Sequence, residues 1–269
     1  MLLKKRICKS IALALVGVTV TTPMLKTVSA MENVIIDKEV QSLNELEEID
    51  FNEIRQKFEN MSGTARSSII EINEVNYKAI ININTGDIIH TYYNEDGSIN
   101  ETYNVNFYKN LERFEKQIEQ IDNNQSRLSG PVIYKNKTSW SPDMLQLQVK
   151  KVKKDGKTVH QCDLWNSSNK YKQKFRTKYT SSPSIMEFDK AINDTSNKWN
   201  LLASLAGTSA AVALVSFFGP TASVTVKVLK EALKKLGLPG LIVSVDSLVK
   251  RWNAYSNAVK DGNNKYNAA

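Results

Sequence analysis

The spacing of apolar side chains changes character three times along the chain. Over residues 41–60 (QSLNELEEIDFNEIRQKFEN), Leu43, Leu46, Ile49, Ile54 and Phe58 recur at roughly three- and four-residue intervals, the spacing that lines one face of a helix. The pattern predicts an acidic amphipathic helix ending at Ser62-Gly63. From Ser68 the period becomes two: Ile70 and Ile72 alternate with Ile69, Glu71 and Asn73, as along a half-buried strand. Turn-forming clusters break this run at Asn84-Thr85-Gly86-Asp87 and Asn94-Glu95-Asp96-Gly97, and Asp96-Gly97 is a good hairpin signal. Antiparallel strands joined by tight turns are expected. A second helix is predicted over Asn106–Asp122, with Phe107, Leu111, Phe114, Ile118 and Ile121 on one stripe. This stretch reads as a small α+β unit whose sheet packs one face against helices.

Polar Asn123–Gly130 is a plausible linker, and from Pro131 the chain is strand-like again, now around the turn Asp155-Gly156. The last third differs from both. Between Lys198 and Lys227 lie 28 residues without a charge, and Trp199–Phe218 accounts for 20 of them, about 30 Å as a helix and therefore bilayer-length. Gly219-Pro220 stops it. Ala203, Gly207 and Ala211 recur every fourth residue, a small-residue face through which two copies could associate closely in lipid. Next, Val224, Val228, Leu229, Ala232, Leu233 and Leu236 face one way and Lys227, Lys230, Glu231, Lys234 and Lys235 mostly the other, the pattern of a basic interfacial helix. A third segment carries Leu241, Val245, Leu248, Trp252 and Tyr255 on a stripe, beside Lys250 and Arg251. Trp199, Trp252 and Tyr255 sit near segment ends, where amphipathic rings favour the headgroup level. A buried core helix covered by two amphipathic ones, an ordinary soluble bundle, fits the same pattern. The two are compatible, since a membrane helix in a soluble molecule must be hidden somewhere.

Charge sharpens this division. Residues 31–130 hold 9 Lys and Arg against 19 Asp and Glu, whereas 131–269 hold 22 against 9. The acidic part is therefore expected to dock on the basic remainder and conceal cationic surface. Lys150, Lys151, Lys153, Lys154 and Lys157 form one basic cluster, and Lys170, Lys172, Lys174, Arg176 and Lys178, interleaved with Tyr171, Phe175 and Tyr179, form another. Such strands suit anionic surfaces, nucleic acid, or simply the lysine protection of a sheet edge. Residues 1–30 tip the choice: a charged start (Lys4, Lys5, Arg6, Lys9), the apolar run Ile11–Val20 and the end Val28-Ser29-Ala30 predict a secretory leader cleaved after Ala30. Export leaves nucleic acid an unexpected partner. The expected organisation is a leader (1–30), an acidic α+β region (31–130), a basic strand-rich region (131–182) and a hydrophobic and amphipathic helical region (183–269), the last a helical hairpin or three helices.

Chemistry is sparse. The chain has no GxSxG, HExxH, GxxxxGK[ST] or GxGxxG motif, so the common hydrolase, zinc-protease and nucleotide-binding signatures are missing, and no catalytic activity or cofactor is expected. Two histidines and two cysteines argue against a Cys/His zinc site or a disulfide framework. His160 and Cys162 lie two residues apart on one strand face, which reads as a half-buried thiol beside a surface His. Glu45, Glu47, Glu48 and Asp50 lack the spacing and central Gly of a calcium loop.

The leader ending Val28-Ser29-Ala30, the polar region after it, and the segment from Trp199-Asn200-Leu201-Leu202-Ala203-Ser204-Leu205-Ala206-Gly207, rich in small apolar residues and lysine, give a layout that resembles the large, heat-labile secreted bacteriocins of Gram-positive bacteria, of the geobacillin and closticin type. The resemblance covers residues 1–30 and about 185–269. It implies an antibacterial protein whose C-terminal part disturbs the target membrane, in the intact mature chain or after proteolytic release, with an immunity protein as a candidate partner in the producing cell. On this reading Leu201, Leu202, Leu205, Gly207, Ala211, Leu214, Phe217 and Phe218 would insert, and Lys227, Lys230, Lys234, Lys235, Lys250 and Arg251 would draw the protein to anionic lipid. Trp199, Trp252 and Tyr255 would lie at the interface. The reading from another class is a secreted or surface-retained protein whose basic strands hold an anionic cell-envelope polymer.

Overall fold

The computed structural model describes residues 49–62, 68–126, 137–140, 145–166, 172–178 and 182–269. The expected leader, and Leu43 and Leu46 of the first expected helix, lie outside them. The fold is α+β, with two antiparallel sheets followed by packed C-terminal helices.

Helix α1 (Phe51–Glu59) begins at Asp50, whose carboxylate accepts from the Glu53 N–H at 2.9 Å, satisfying one of the donors left free at a helix start. It buries Ile54 and Phe58. Four strands follow, β1 (Ile69–Glu74), β2 (Tyr77–Asn82), β3 (Asp87–Tyr93) and β4 (Ile99–Asn106), paired antiparallel in sequence order. The two expected turns are present, together with a third at Val75-Asn76, where Asn76 adopts φ 63°. Ile72, Ala79, Ile81, Ile88 and His90 are buried, while Ile69 and Ile89 are exposed, as period two dictates. Asn106 caps helix α2 (Phe107–Ser126) by accepting from the Lys109 N–H. That helix buries Phe107, Leu111 and Phe114 and runs on into the expected linker.

The second sheet pairs β5 (Lys137–Trp140), β6 (Leu145–Lys154), β7 (Lys157–Asn166) and β8 (Lys172–Thr177), again antiparallel in sequence order. Helices α3 (Pro183–Ala206), α4 (Thr208–Phe218), α5 (Val226–Lys235) and α6 (Val245–Ala268) complete the chain, with a 3-10 turn over Pro239–Ser244. The start of α3 (Ile185, Phe188, Ile192) shares a core with the end of α6 (Tyr266) and with β6 and β7. Trp199, late in α3, meets Tyr255 at 5.5 Å between ring centroids. The two long helices therefore run antiparallel, one end under each sheet. Lys265 and Glu187, 2.9 Å apart, close the second-sheet end. The larger core gathers α1, the first sheet, α2, the end of α3, α4, α5 and the start of α6.

The break in the uncharged run departs from the expected single helix. The uncharged run Trp199–Phe218 is not one helix: it breaks at Gly207, and α3 and α4 meet at 113°. No single helix among the described residues is long and apolar enough to cross a membrane. Gly207 (φ 83°, ψ 145°) and Gly219 (φ 77°, ψ 151°) bound α4, both in a region of backbone space open essentially to glycine alone. Consequently Ala203, Gly207 and Ala211 do not form a continuous stripe, because the break parts the first from the last.

Replacing either glycine by Ala is expected to cost about 1–3 kcal/mol, read as a lowered denaturant midpoint at unchanged slope. Gly207 is the cleaner test, since an added Cβ meets nothing within 4 Å and the cost there is purely conformational.

Candidate functional site

Helix α4 has the sequence TSAAVALVSFF, and every residue from Ala210 to Phe218 is buried. A helix apolar all round needs cover on all sides. The end of α3 and α2 flank it, and the first sheet closes over its C-terminal end through β4 and the residues that face inward from β3. The last carbonyls of a helix have no intrahelical partner, and here the acidic region supplies them. His90 Nε2 lies 3.0 Å from the Phe217 carbonyl oxygen, and the Asn110 amide donates to the Ser216 carbonyl at 3.3 Å. Just beyond α4, the Tyr92 hydroxyl donates to the Ser223 carbonyl at 3.0 Å. From the other side, the Trp252 indole N–H donates to the Ala222 carbonyl at 2.7 Å, and Asn253 both accepts from and donates to the Val224 backbone.

His90 is the central piece. It is fully buried, and its Nδ1 lies 2.8 Å from the Tyr77 hydroxyl. A neutral ring has one donor and one acceptor nitrogen, so Nε2–H donates to the carbonyl and Nδ1 accepts from Tyr77. The rings of Tyr103, Phe217 and Phe218 enclose it, with centroids 4.8, 5.6 and 5.6 Å away. Burial lowers its pKa from 6.5 to about 4, against the smaller opposing influence of the Phe217 carbonyl. Among the described residues the buried hydroxyls of Ser216 and Ser256 lack a hydrogen-bond partner; an unsatisfied buried group costs roughly 1–3 kcal/mol. The core around α4 is therefore not polar-satisfied throughout.

The residues expected to insert are distributed unevenly. Leu202, Ala211, Leu214, Phe217 and Phe218 are buried, Leu205 is half-buried, and Leu201 and Gly207 are exposed. The three aromatics expected at an interface are core residues in this structure: Trp199 stacks on Phe114 at 5.8 Å, and Trp252 meets Phe218 edge-on at 5.6 Å, with Tyr255 beside it. Of the six cations, Lys227, Lys230, Lys234, Lys250 and Arg251 are exposed and Lys235 is half-buried.

Among the described residues, the acidic and basic regions meet without ion pairs between them. The salt bridges between described residues, including Arg55–Glu115, Lys78–Glu71, Lys234–Glu231 and Lys265–Glu187, each lie within one region. Apolar burial and neutral hydrogen bonds make the join.

In the second sheet the hairpin β6–β7 outruns its neighbours. β5 pairs with β6 only as far as Val149, and β8 pairs with β7 from Gln161 onward. Among the described residues Lys151–Lys154 and Lys157–His160 therefore pair only with each other. Lys154 stands opposite Lys157 across the Asp155-Gly156 turn, and Lys151, Lys153, Lys154 and Lys157 are all exposed. Cys162 is buried, 3.9 Å from the Lys178 carbonyl. Burial, then the neighbouring Asp163 charge, pushes its thiol up, opposite to what an activated nucleophile needs. Among the described residues no group of three or more His, Cys, Asp or Glu side chains is placed to hold a metal. The chain matches no protein-family model, no curated protein and no solved structure.

Protonation tests the His90 bridge. An unfolded His titrates near 6.5 and the buried one near 4, so above 6.5 both states are neutral and the bridge is fully retained. As pH falls from 6.5 to 4 the unfolded chain gains its proton first, and about 3 kcal/mol of stability is expected to be lost. His90→Gln keeps an N–H donor and has no proton to gain. It should be less stable at pH 7 yet lose less over this interval, as urea unfolding at stepped pH would show.

Proposed function

We propose that this is a secreted antibacterial protein, a bacteriocin or its precursor, that acts on the target-cell membrane through its C-terminal helices. The observation that carries the reading is α4: a helix with no charge and no water-facing side, sealed under the acidic region and followed by a helix that is basic along its exposed face. At 11 residues it is about 16 Å long, half of a bilayer core. The missing length lies across the hinge. If Gly207 turned into helical φ and ψ, the end of α3 would continue into α4 and restore the 20-residue run Trp199–Phe218. Ala203, Gly207 and Ala211 would then share one face on which inserted copies could associate. Insertion on this scheme requires α4 to leave the first sheet, so the His90, Tyr92 and Asn110 contacts form its restraint. The leader delivers the protein outside, and an immunity protein would shield the producing cell.

A second reading, a binder of an anionic cell-envelope polymer, draws support from the β6–β7 ribbon. Like charges directly opposite each other are destabilising, so Lys154 and Lys157 favour a phosphate-bearing partner. Such a protein would adhere to teichoic acid and leave vesicles intact.

Dye release from anionic vesicles, run beside growth inhibition of neighbouring Gram-positive species, separates the two. Gly207→Ala should both weaken the folded form and favour the continuous helix, so it is expected to release dye several-fold faster than the parent. Gly219→Ala, which weakens the fold without joining the helices, should fall between them. Ser216→Ala, which removes an unpartnered hydroxyl, should be slower than the parent. Absence of leakage and of inhibition from all four proteins would exclude the membrane reading; leakage indifferent to Gly207 would exclude the hinge.

A further inference from the structure

The helix expected to enter lipid is sealed in the folded protein, so something else must touch the membrane first. Among large apolar residues exposed in this structure, Val243 stands apart at 94% of its full accessibility. It lies in the 3-10 turn Pro239–Ser244 that joins α5 to α6, within the stretch Leu236–Val245, which contains no charged residue. Leu238, Leu241 and Ile242 pack partly against the main core, whereas Pro239, Gly240 and Val243 face outward. The turn is thus held from within and bare without.

The helices before and after the turn both carry exposed cations. Lys227, Lys230 and Lys234 are exposed on α5, and Lys250 and Arg251 are exposed in the second turn of α6, within about 10 Å of that helix's start along its axis. Two carboxylates lie among them, Glu231, which pairs with Lys234, and Asp246 in the first turn of α6. A bare apolar tip on the connection between two helices that each carry exposed cations complements a surface with negative headgroups above an apolar interior. A soluble polyanion would use the lysines and leave Val243 without a partner.

We propose that the elbow Leu238–Ser244 is the element that docks this protein on an anionic lipid bilayer, with Val243 entering the interface and Lys227, Lys230, Lys234, Lys250 and Arg251 meeting the headgroups. The inference rests on the membrane reading above and assigns the first contact to a part of the chain that needs no unfolding. Each cation near an anionic surface contributes about fivefold in affinity, weakening as salt rises. Burial of a valine side chain contributes about tenfold.

The test uses the expected mature chain, residues 31–269, whose one native thiol, Cys162, is buried. An environment-sensitive nitrobenzoxadiazole probe is attached at Val243→Cys or, as reference, at Asn264→Cys, an exposed position near the far end of α6. With vesicles of equal phosphatidylglycerol and phosphatidylcholine at low salt, the probe at 243 should brighten several-fold and that at 264 should not; phosphatidylcholine alone should leave both dark. Unlabelled Val243→Asp, exposed and so free to fold, should cosediment with the anionic vesicles about tenfold more weakly than the parent. Cosedimentation with a dark probe at 243, equal brightening at 264, or full binding by Val243→Asp would overturn the elbow as the docking element while leaving membrane action standing. Failure of the parent to cosediment with either vesicle would overturn both.

Discussion

An 11-residue helix with no face left for water dictates how the rest of this protein is arranged. α4 cannot form the rim of anything: it needs neighbours all round and partners for its last carbonyls. The first sheet, α2 and the ends of the two long helices converge on it, and the residues of those elements that touch it are apolar or hydrogen-bonded and neutral. The second sheet is a separate matter. It has its own small core, reached by the opposite ends of α3 and α6, and its lysine-bearing ribbon stands clear of its neighbouring strands. The two long helices thereby link two cores, one built around α4 and one under the second sheet.

The strong charge asymmetry along the chain suggests electrostatic clamping, but the structure distributes forces differently. Exposed ion pairs contribute little each, and those between described residues stay within their own regions. What crosses between acidic and basic halves is burial, plus bonds such as His90 to Phe217 and Tyr92 to Ser223. Such a join is nearly indifferent to salt but sensitive to protons, because burying His90 disfavours its charged form. Restraint of α4 is on this account a matter of dehydration and one imidazole, and the lysines on the outer faces of α5 and α6 stay available to an external surface.

Periodicity made much of this legible. The inward isoleucines of the first sheet, the Phe107-Leu111-Phe114 stripe of α2, the buried face of α5 and the Val245-Leu248-Trp252-Tyr255 face of α6 all follow from spacing. Three features did not. The Val75-Asn76 turn carries no glycine, and a single Asn at positive φ leaves a faint trace in an alternating run. Gly207 sits in an uncharged stretch where a glycine is equally at home inside a close-packed membrane helix or at a corner, so only tertiary structure decides between them. His90 carries no motif around it, and only its place two residues after Ile88, on the core side of the strand, marks it as a polar residue in need of a partner. That partner is a carbonyl 127 residues away, which no local pattern reveals. The aromatic residues expected at a membrane interface illustrate the same limit: a Trp near the end of an apolar segment suits a headgroup layer and a core crossing equally well.

The central claim is that α4 is sealed against the first sheet in water and exchanges that cover for lipid. Amide hydrogen exchange measured by peptide, with and without vesicles rich in phosphatidylglycerol, addresses it directly. In water, residues 208–218 and strands β2 and β3 should be the slowest to exchange and should open together. With vesicles, β2 and β3 should lose protection while 208–218 keep theirs, now shielded by the bilayer. Retention of protection by both, in protein demonstrably bound to the vesicles, would contradict the claim and leave α4 as a structural core helix.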